Sequence, residues 1–531
     1  MNYLKIIPLG GFNEVGLNCT VVETENDILI VDMGLGFPDE SLPGVQILLP
    51  PIQYLQKNKK KIRGILITHG HLDHIGAIPH LLSKLDYPTI YATNFTCKVI
   101  ANKITREKKS DKFKLVNVKY NTPLKLGELK AQFTHVSHSI PDAAAVTIST
   151  SKGNIFFSGD FKFDDTPLNE PKPDYYNLQR IGKDQKPIAA FIDSTNSFDK
   201  GWSISEKKVY SILENLIRKA KGRVIIATFS SEVTRMYSIT DIAKKMKRKI
   251  VLFGRSIEEM YKISTETGYI QSHKHSVISH RQAKKYNDSQ LIYIVTGTQG
   301  EREAALTRMI EKKFDRLKLK KGDTVIMSSS FIPGNEVAIF KNIDKLIQMG
   351  VDVIHKKQLD VHTTGHAHQQ EQLKMLSLIK PKYLIPAYAN PMLRDQLKNT
   401  AMRNGYTPDK ILMVKNGDIM EYKNGKWEIQ NNLNERPYVI DGNSVSPINQ
   451  KLVNERLQLE NNGYIVIIVK NNKVTISHKG VIHGYQKNNF ENEIRDIIQK
   501  HKGGKDKLES RIFQHIRSKY NKQPFIEIFH S

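Results

Sequence analysis

The hexapeptide His69-Gly70-His71-Leu72-Asp73-His74 places four metal-binding side chains in six positions. His69 and His71, two residues apart at the exit of the apolar run Ile65-Leu66-Ile67, project to one side of an extended chain, and Asp73 and His74 occupy the turn that follows. The spacing offers two neighbouring metal positions, one fed by His69 and His71, the other by Asp73 and His74. Imidazole nitrogens and carboxylate oxygens suit zinc or manganese, and zinc is preferred where imidazole dominates. The only cysteines are Cys19 and Cys97, which excludes a disulfide framework and a thiolate metal site. Two distant segments hold donors of the kind the cluster still needs: His138 in Val136-Ser-His-Ser-Ile-Pro-Asp142, and Asp160 after the run Ile155-Phe-Phe-Ser158. A carboxylate at Asp160 could bridge two ions roughly 3.5–4 Å apart with a hydroxide between them, which is the apparatus of metal-assisted hydrolysis. His135 reads as a packing residue, or as one that orients a ligand.

Positioning such donors requires strands that end together. The first part of the chain alternates short β-rich runs (19–23, 28–31, 64–68, 154–157) with turns and helical stretches, and each run closes on polar residues: Asp32, the His cluster, Ser158 to Asp160. This is an α/β pattern of the layered αββα kind. Between 205 and 355 the pattern becomes a regular alternation of helix and strand, as in a compact parallel α/β domain inserted into the first. The stretch 361–385 returns to strand ends and a helix, and the polar stretch 424–436 precedes a small α+β region. The expected domains are 1–204 and 355–430 (one discontinuous domain), 205–354 (the insertion), 431–440 (a linker) and 441–531. Residues 75–85 read as a helical run, and the Lys-rich stretch 500–507 as a solvated loop.

Lys and Arg number 80 against 54 Asp and Glu, and the net charge of +26 creates a field that attracts polyanions. A generally Lys-rich composition gives the same excess, so charge alone does not separate nucleic-acid binding from composition. Met1 to Pro8 lacks a basic region followed by an apolar core, and no run of 18 apolar residues occurs, so the expectation is a cytoplasmic protein without membrane contact.

Beyond the cluster, further segments occur in order: Leu9-Gly-Gly-Phe-Asn-Glu-Val-Gly16, Gly34-Leu-Gly-Phe-Pro38, His138-Ser-Ile-Pro-Asp142, Gly159-Asp-Phe-Lys-Phe-Asp164, Asp193-Ser-Thr-Asn196, Phe253-Gly-Arg-Ser256, Thr296-Gly-Thr-Gln-Gly-Glu301, the 328–336 segment from Ser328 to Glu336, and His362-Thr-Thr-Gly-His366. Together they resemble the metallo-β-lactamase superfamily. With the inserted domain, the resemblance narrows to its β-CASP nucleic-acid hydrolases and, within them, to the ribonuclease J family. It implies a metallo-β-lactamase sandwich, a β-CASP insertion and a small C-terminal domain. It also implies two Zn2+ per chain, with Mn2+ as the alternative: the first on His69, His71, His138 and Asp160, the second on Asp73, His74 and Asp160. Asp73, Asp193 and His366 take catalytic roles by the same resemblance, Asp193 ordering the site and His366 meeting the scissile phosphate or protonating the leaving oxygen. Ser230, Ser231, His362, Thr363, Thr364, Gly365 and His366 resemble the pocket for a 5′-monophosphate. The implied substrate is single-stranded, 5′-monophosphorylated RNA, degraded 5′-to-3′ with some endonuclease action in rRNA processing and mRNA decay. DNA is the harder substrate to separate, since a phosphodiester site does not itself read the 2′-hydroxyl. The implied assembly is a homodimer or higher oligomer, or a hetero-oligomer with a ribonuclease J paralogue.

The chain also departs from the family. Tyr388, in Pro386-Ala-Tyr-Ala-Asn-Pro-Met392, stands where the family has a histidine ligand of the second zinc. Glu232 and Thr234 precede Arg235 where the family commonly has Asn and another residue, and Arg302 replaces a proline. These changes resemble the divergent second paralogue found in some bacteria. They leave two expectations: a metal-dependent ribonuclease with a weakened second site, or an RNA-binding subunit that stabilises an active paralogue.

Overall fold

The computed structural model describes residues 3–107, 112–271, 276–332, 334–430, 432–471 and 473–530. Met1 and Asn2 of the amino-terminal stretch, Pro333 of the 328–336 segment and Asn431 of the expected linker lie outside the described residues.

The sequence's short β-branched runs build two facing sheets. The first has eight strands in the order Lys426–Gln430, Ile419–Lys423, Lys5–Gly10, Cys19–Glu23, Ile28–Val31, Ile62–Leu66, Ile90–Ala92, Leu115–Asn117. The second has six: Leu384–Ala387, Ala189–Asp193, Gly153–Phe157, Ala144–Thr150, Leu129–His135, Leu124–Leu126. Side chains alternate across a strand, so each sheet has two faces to bury. The inner faces share one core, in which Ile6, Val22, Leu29 and Leu66 meet Phe133, Val146, Ile155, Phe157 and Phe191. The outer face of the second sheet (Phe156, Ala190, Ile192) is covered by Leu178, Met375, Leu376 and Leu397 from the helices Tyr175–Arg180, Gln369–Ile379 and Pro391–Arg403. Helix Asn94–Glu107 buries Phe95, Val99, Ile100 and Ile104 beside the strands at the edge of the first sheet. This is the αββα sandwich expected from the sequence.

Within each sheet one block of strands runs parallel: Ile28–Val31 with Ile62–Leu66, and Gly153–Phe157 with Ala189–Asp193 and Leu384–Ala387. Their carboxyl ends carry Asp32, the His cluster, Asp160, Asp193 and Tyr388. Parallel strands release their chain at the same end, which is how distant polar residues reach one place.

The inserted region forms a five-stranded, wholly parallel sheet in the order Lys249–Phe253, Leu291–Val295, Val224–Ala227, Thr324–Met327, Asp352–His355. Its strands Val224–Ala227 and Leu291–Val295 are buried throughout, as near-continuous apolar runs between helices demand. The buried Arg223 and Asp323 pair at 2.6 Å just ahead of two of these strands.

A second compact unit combines 436–531 with the excursion 37–48. The Gln46 amide donates to the Ile440 carbonyl, and Arg456 pairs with Asp441 at 2.7 Å. Its larger sheet sets Tyr464–Lys470 between Lys473–Lys479 and Phe525–His530, and Ile465, Ile467, Phe490, Ile494, Ile512 and Ile516 form the core with two helices.

Three local readings change. The expected helical run 75–85 is broken into Leu72–Ile75, Ile78–Leu81 and a 3-10 turn Leu82–Leu85, because Pro79 must open a helix rather than continue one. Lys505 and Lys507, expected in a solvated loop, begin the helix Lys505–Tyr520. Asn424 and Gly425 form the tight turn of a hairpin between the strands Ile419–Lys423 and Lys426–Gln430. Among the described residues, no helix is long and apolar enough to cross a membrane.

Candidate metal centre

Thr68 and His69 leave the strand Ile62–Leu66, His71 caps the helix Leu72–Ile75, and Asp73 and His74 lie within that helix. A side chain at Gly34 would come 1.5 Å from the Asp73 carbonyl, so only glycine lets the chain after Asp32 lie against this turn. The Met33 amide donates to the His74 carbonyl and the Leu35 amide to the Leu72 carbonyl, locking the two segments together.

His69, His71, His138 and Asp160 converge. His69 Nε2 lies 3.1 Å from His71 Nδ1, His138 Nε2 lies 2.9 Å from the same Nδ1, and Asp160 Oδ2 stands 3.5 Å from His69 Nε2 and 3.8 Å from His138 Nε2. Asp73, His74 and Asp160 form an adjacent group, with His74 Nε2 at 3.2 Å from Asp160 Oδ2 and 3.5 Å from Asp73 Oδ2. Asp160, Asp193 and His366 form a third.

The hydrogen bonds behind these groups fix which atom faces inward. His138 Nδ1 donates to the Gly365 carbonyl at 2.6 Å, and His74 Nδ1 donates to Asp32 Oδ2 at 2.7 Å. Thr68 Oγ1 donates to Asp32 and lies 3.1 Å from His69 Nδ1. In each case Nε2 is the nitrogen turned toward the centre, the usual device for presenting imidazole to a metal. Three imidazole nitrogens and one buried carboxylate oxygen aimed at one point are a chemical fit for a divalent cation.

Burial, then His74 and His138, push His69 well below its ordinary range, and burial takes His71 down to about 4. Burial and the imidazoles of His71 and His366 do the same to His138. Burial opposes charge on His74 too, but Asp160, Asp32 and Asp73 outweigh it and hold the ring well above that range. His366, whose Nδ1 lies 2.9 Å from Asp193 Oδ2, is lowered by burial and raised more strongly by Asp193 and Asp160, to about 9.

Tyr388 follows the strand Leu384–Ala387 in a left-handed backbone conformation (φ 61°), its ring centroid 5.8 Å from that of His74. Its hydroxyl is buried without a hydrogen-bond partner among the described residues. Burial and the nearby Asp32, Asp160 and Asp193 keep it a phenol, far from a phenolate ligand. Asp32 shares the left-handed conformation (φ 61°), and strained backbone of this kind costs on the order of 1–3 kcal/mol at each position.

The phosphate-pocket segments lie on two sides of Arg235. Ser230 and Ser231 form the turn into the helix Val233–Lys245, whose Arg235 donates to the Val361 carbonyl next to the buried His362. Thr363 Oγ1 donates to the Ile204 carbonyl, and Thr364 Oγ1 accepts from Asn196 and from the His366 amide. Those two hydroxyls therefore hold the 362–366 loop in place. A Cβ at Gly365 would strike the His138 ring at 2.6 Å, so glycine here allows the loop to reach the imidazole. His135 bonds the Pro171 carbonyl and joins none of the three groups.

Sequence reasoning saw Asp32 only as a polar strand end, and it missed Asn18, whose Nδ2 lies 2.8 Å from His74 Nε2. No spacing rule connects a residue before the second strand to a cluster fifty positions on.

A family model for the metallo-beta-lactamase superfamily matches residues 13–193, and one described as ribonuclease J, beta-CASP domain, matches 221–346. Ribonuclease J of Mycoplasma genitalium is 35% identical over 476 residues, spanning 88% of this chain and 83% of that protein. Ribonuclease J of Helicobacter pylori is 34% identical over 511 residues, 95% of this chain and 73% of that one. Ribonuclease J2 of Bacillus subtilis is 32% identical over 466 residues, 88% and 83% of the two chains. Among solved structures, a protein of unknown function from Enterococcus faecalis superposes with a TM-score of 0.56 at 17% identity, over 79% of this chain and all of that one, a likeness of fold alone.

Proposed function

Since this chain belongs to the ribonuclease J family, built on a metallo-β-lactamase sandwich with a β-CASP domain, we propose that it is a metal-dependent ribonuclease acting 5′-to-3′ on single-stranded RNA, with some endonuclease action. One observation carries the reading: the two donor groups share Asp160, and the Asp193–His366 pair lies directly beside it. His69, His71, His138 and Asp160 would hold one ion, Asp73, His74 and Asp160 a second, zinc or manganese. Bound there, the ions would supply Lewis acidity toward a phosphodiester and lower the pKa of water.

The chain's own groups divide the remaining work. Asp32 and the Gly365 carbonyl orient His74 and His138 through their Nδ1 protons. Asp193 keeps a proton on His366, which the ring can deliver to the leaving 3′ oxygen. Ser230 and Ser231, with the backbone of 362–366, offer hydroxyls and amides for a 5′-phosphate. The net charge of +26 draws the polyanion in. The test is turnover of 5′-monophosphorylated RNA by purified protein with Zn2+ or Mn2+, against Asp73→Ala/His74→Ala. Activity in the first and none in the second is expected, and no turnover by the unaltered chain with any metal refutes the reading.

Tyr388 favours one other reading, that of a weakly active second-type paralogue serving chiefly as a structural partner in a hetero-oligomer. It requires co-purification with a full-motif paralogue and unchanged activity of the complex after His69→Ala. The retained donors argue for the enzyme, because a scaffold has no use for convergent imidazoles.

A further inference from the structure

The second donor group has only three members, Asp73, His74 and Asp160, whereas the first has four. Two ligands of one tetrahedral zinc stand about 3.3 Å apart, given bonds of ~2.0–2.1 Å. The inward atoms of both groups are spaced this way, from 2.9 to 3.8 Å. One further atom lies at a comparable distance: Asn18 Nδ2, 2.8 Å from His74 Nε2 and 3.4 Å from Asp73 Oδ2. The other end of that amide, Oδ1, is buried against Gly11 with no hydrogen-bond partner among the described residues.

The Asn18 main chain is fixed to the turn that carries Asp73 and to the segment that follows Asp32. Its amide donates to the Asp73 carbonyl at 3.1 Å, and its carbonyl accepts from Gly34 at 2.9 Å. The side chain itself is free to exchange ends, since the two ends of a carboxamide have nearly the same size. With the cation in place, the amino group would aim its protons at a positive charge and at a His74 lone pair already engaged. Turning the amide by half a rotation brings an oxygen to that position and breaks no bond at Oδ1, which has none.

We propose that Asn18 is a ligand of the second metal position, binding through Oδ1 and completing the set that Tyr388 leaves short. The assignment rests on the two-metal reading above. Tyr388 then acts as packing beside His74 and not as a donor. A neutral amide is a weaker ligand than imidazole or carboxylate, so the second ion is held less tightly than the first while still being held.

Ion counting tests this without turnover. Metal-stripped full-length chain, Asn18→Leu and Asn18→Asp are titrated with Mn2+, and free ion is followed by electron paramagnetic resonance. Two ions per chain are expected for the unaltered protein. Asn18→Leu should keep the first and lose the second by about tenfold or more in affinity, and Asn18→Asp should tighten the second by about tenfold. If Asn18→Leu does not fold, Asn18→Asp decides alone. A second-site affinity unchanged by either substitution, or a single ion in the unaltered protein, overturns the assignment. Equal second-site affinity with RNA turnover intact removes Asn18 and leaves the ribonuclease reading standing; absent turnover with two ions bound and the Asn18 dependence present removes the reading and keeps Asn18.

Discussion

Glu232 is a carboxyl in surroundings that oppose its charge, and replacing it by glutamine should stabilise the protein in a pH-dependent way. Its side chain is 4% exposed, it precedes the helix Val233–Lys245 without making a cap bond, and its Oε2 has no partner among the described residues. Burial lifts the carboxyl from its ordinary 4.5 to about 8, Arg235 opposing and Glu206 adding to the rise. The folded chain therefore keeps a proton there between about pH 4.5 and 8 that the unfolded chain has released. More protons bound by the folded state means stability falls as pH rises through this window. Below pH 4.5 both states are protonated and nothing is lost. At about 1.36 kcal/mol per pH unit, the gap from 4.5 to about 8 amounts to roughly 4–5 kcal/mol once both states are ionised, and roughly 3 kcal/mol at pH 7. Glutamine keeps the shape and does not ionise. Thermal unfolding of both proteins by calorimetry from pH 5 to 9 should give nearly equal Tm at pH 5 and a gain for Glu232→Gln that widens to about 4 °C by pH 9, the scale set by the unfolding entropy of a 531-residue chain. A gain of the same size at every pH, or none at pH 9, would refute the argument that the cost is a buried ionisation.

Other expectations follow from the same geometry. Asp193→Asn should let the His366 proton go nearer neutrality, so RNA turnover should fall by about tenfold at pH 8 and by less at pH 6; a uniform loss across the profile would show that Asp193 acts otherwise. Tyr388→Phe removes a buried hydroxyl with no hydrogen-bond partner among the described residues and should leave stability equal or raise it by about 1 kcal/mol in denaturant titrations, whereas loss of stability would mean the hydroxyl is bonded, the Gly159 backbone being the neighbour in reach. Arg394, fully buried, holds the carbonyls of Phe12, Pro386 and Val414 together, so Arg394→Met should destabilise by about 3–5 kcal/mol and weaken metal retention, measured by elemental analysis after dialysis. Chelation should abolish turnover and lower the Tm, because ions that bind only the folded state stabilise it.

Much of the centre is legible along the chain because its densest part is local. His69 to His74 lie within one strand exit and one helical turn, and backbone geometry alone brings them together. His138 and Asp160 are legible only as donors of the right kind after an apolar run, and Asp32 only as a polar strand end. Asn18 is invisible: its approach to His74 depends on the pairing of the strands Cys19–Glu23 and Ile28–Val31 and on Gly34 admitting the Asp73 turn. Thr363 and Thr364 look in sequence like free phosphate donors, and their hydroxyls instead bond Ile204 and Asn196. The excursion 37–48 reads as part of the first domain, yet it joins the C-terminal unit through main-chain pairing at Ile440, which no side-chain pattern announces.

By itself the sequence determined the α/β layers, the parallel insertion and the chemistry of a divalent-metal centre built on histidine and aspartate, because periodicity and donor type are local properties. Tertiary structure decided which donors converge, which nitrogens of His69, His74 and His138 face inward, that the Tyr388 ring packs beside His74, and that an asparagine stands 2.8 Å from His74 Nε2 beside the three-membered donor group. Those outcomes depend on strand order, on hydrogen bonds from behind the ligands and on two close glycine approaches, all set by packing between segments that the chain keeps far apart.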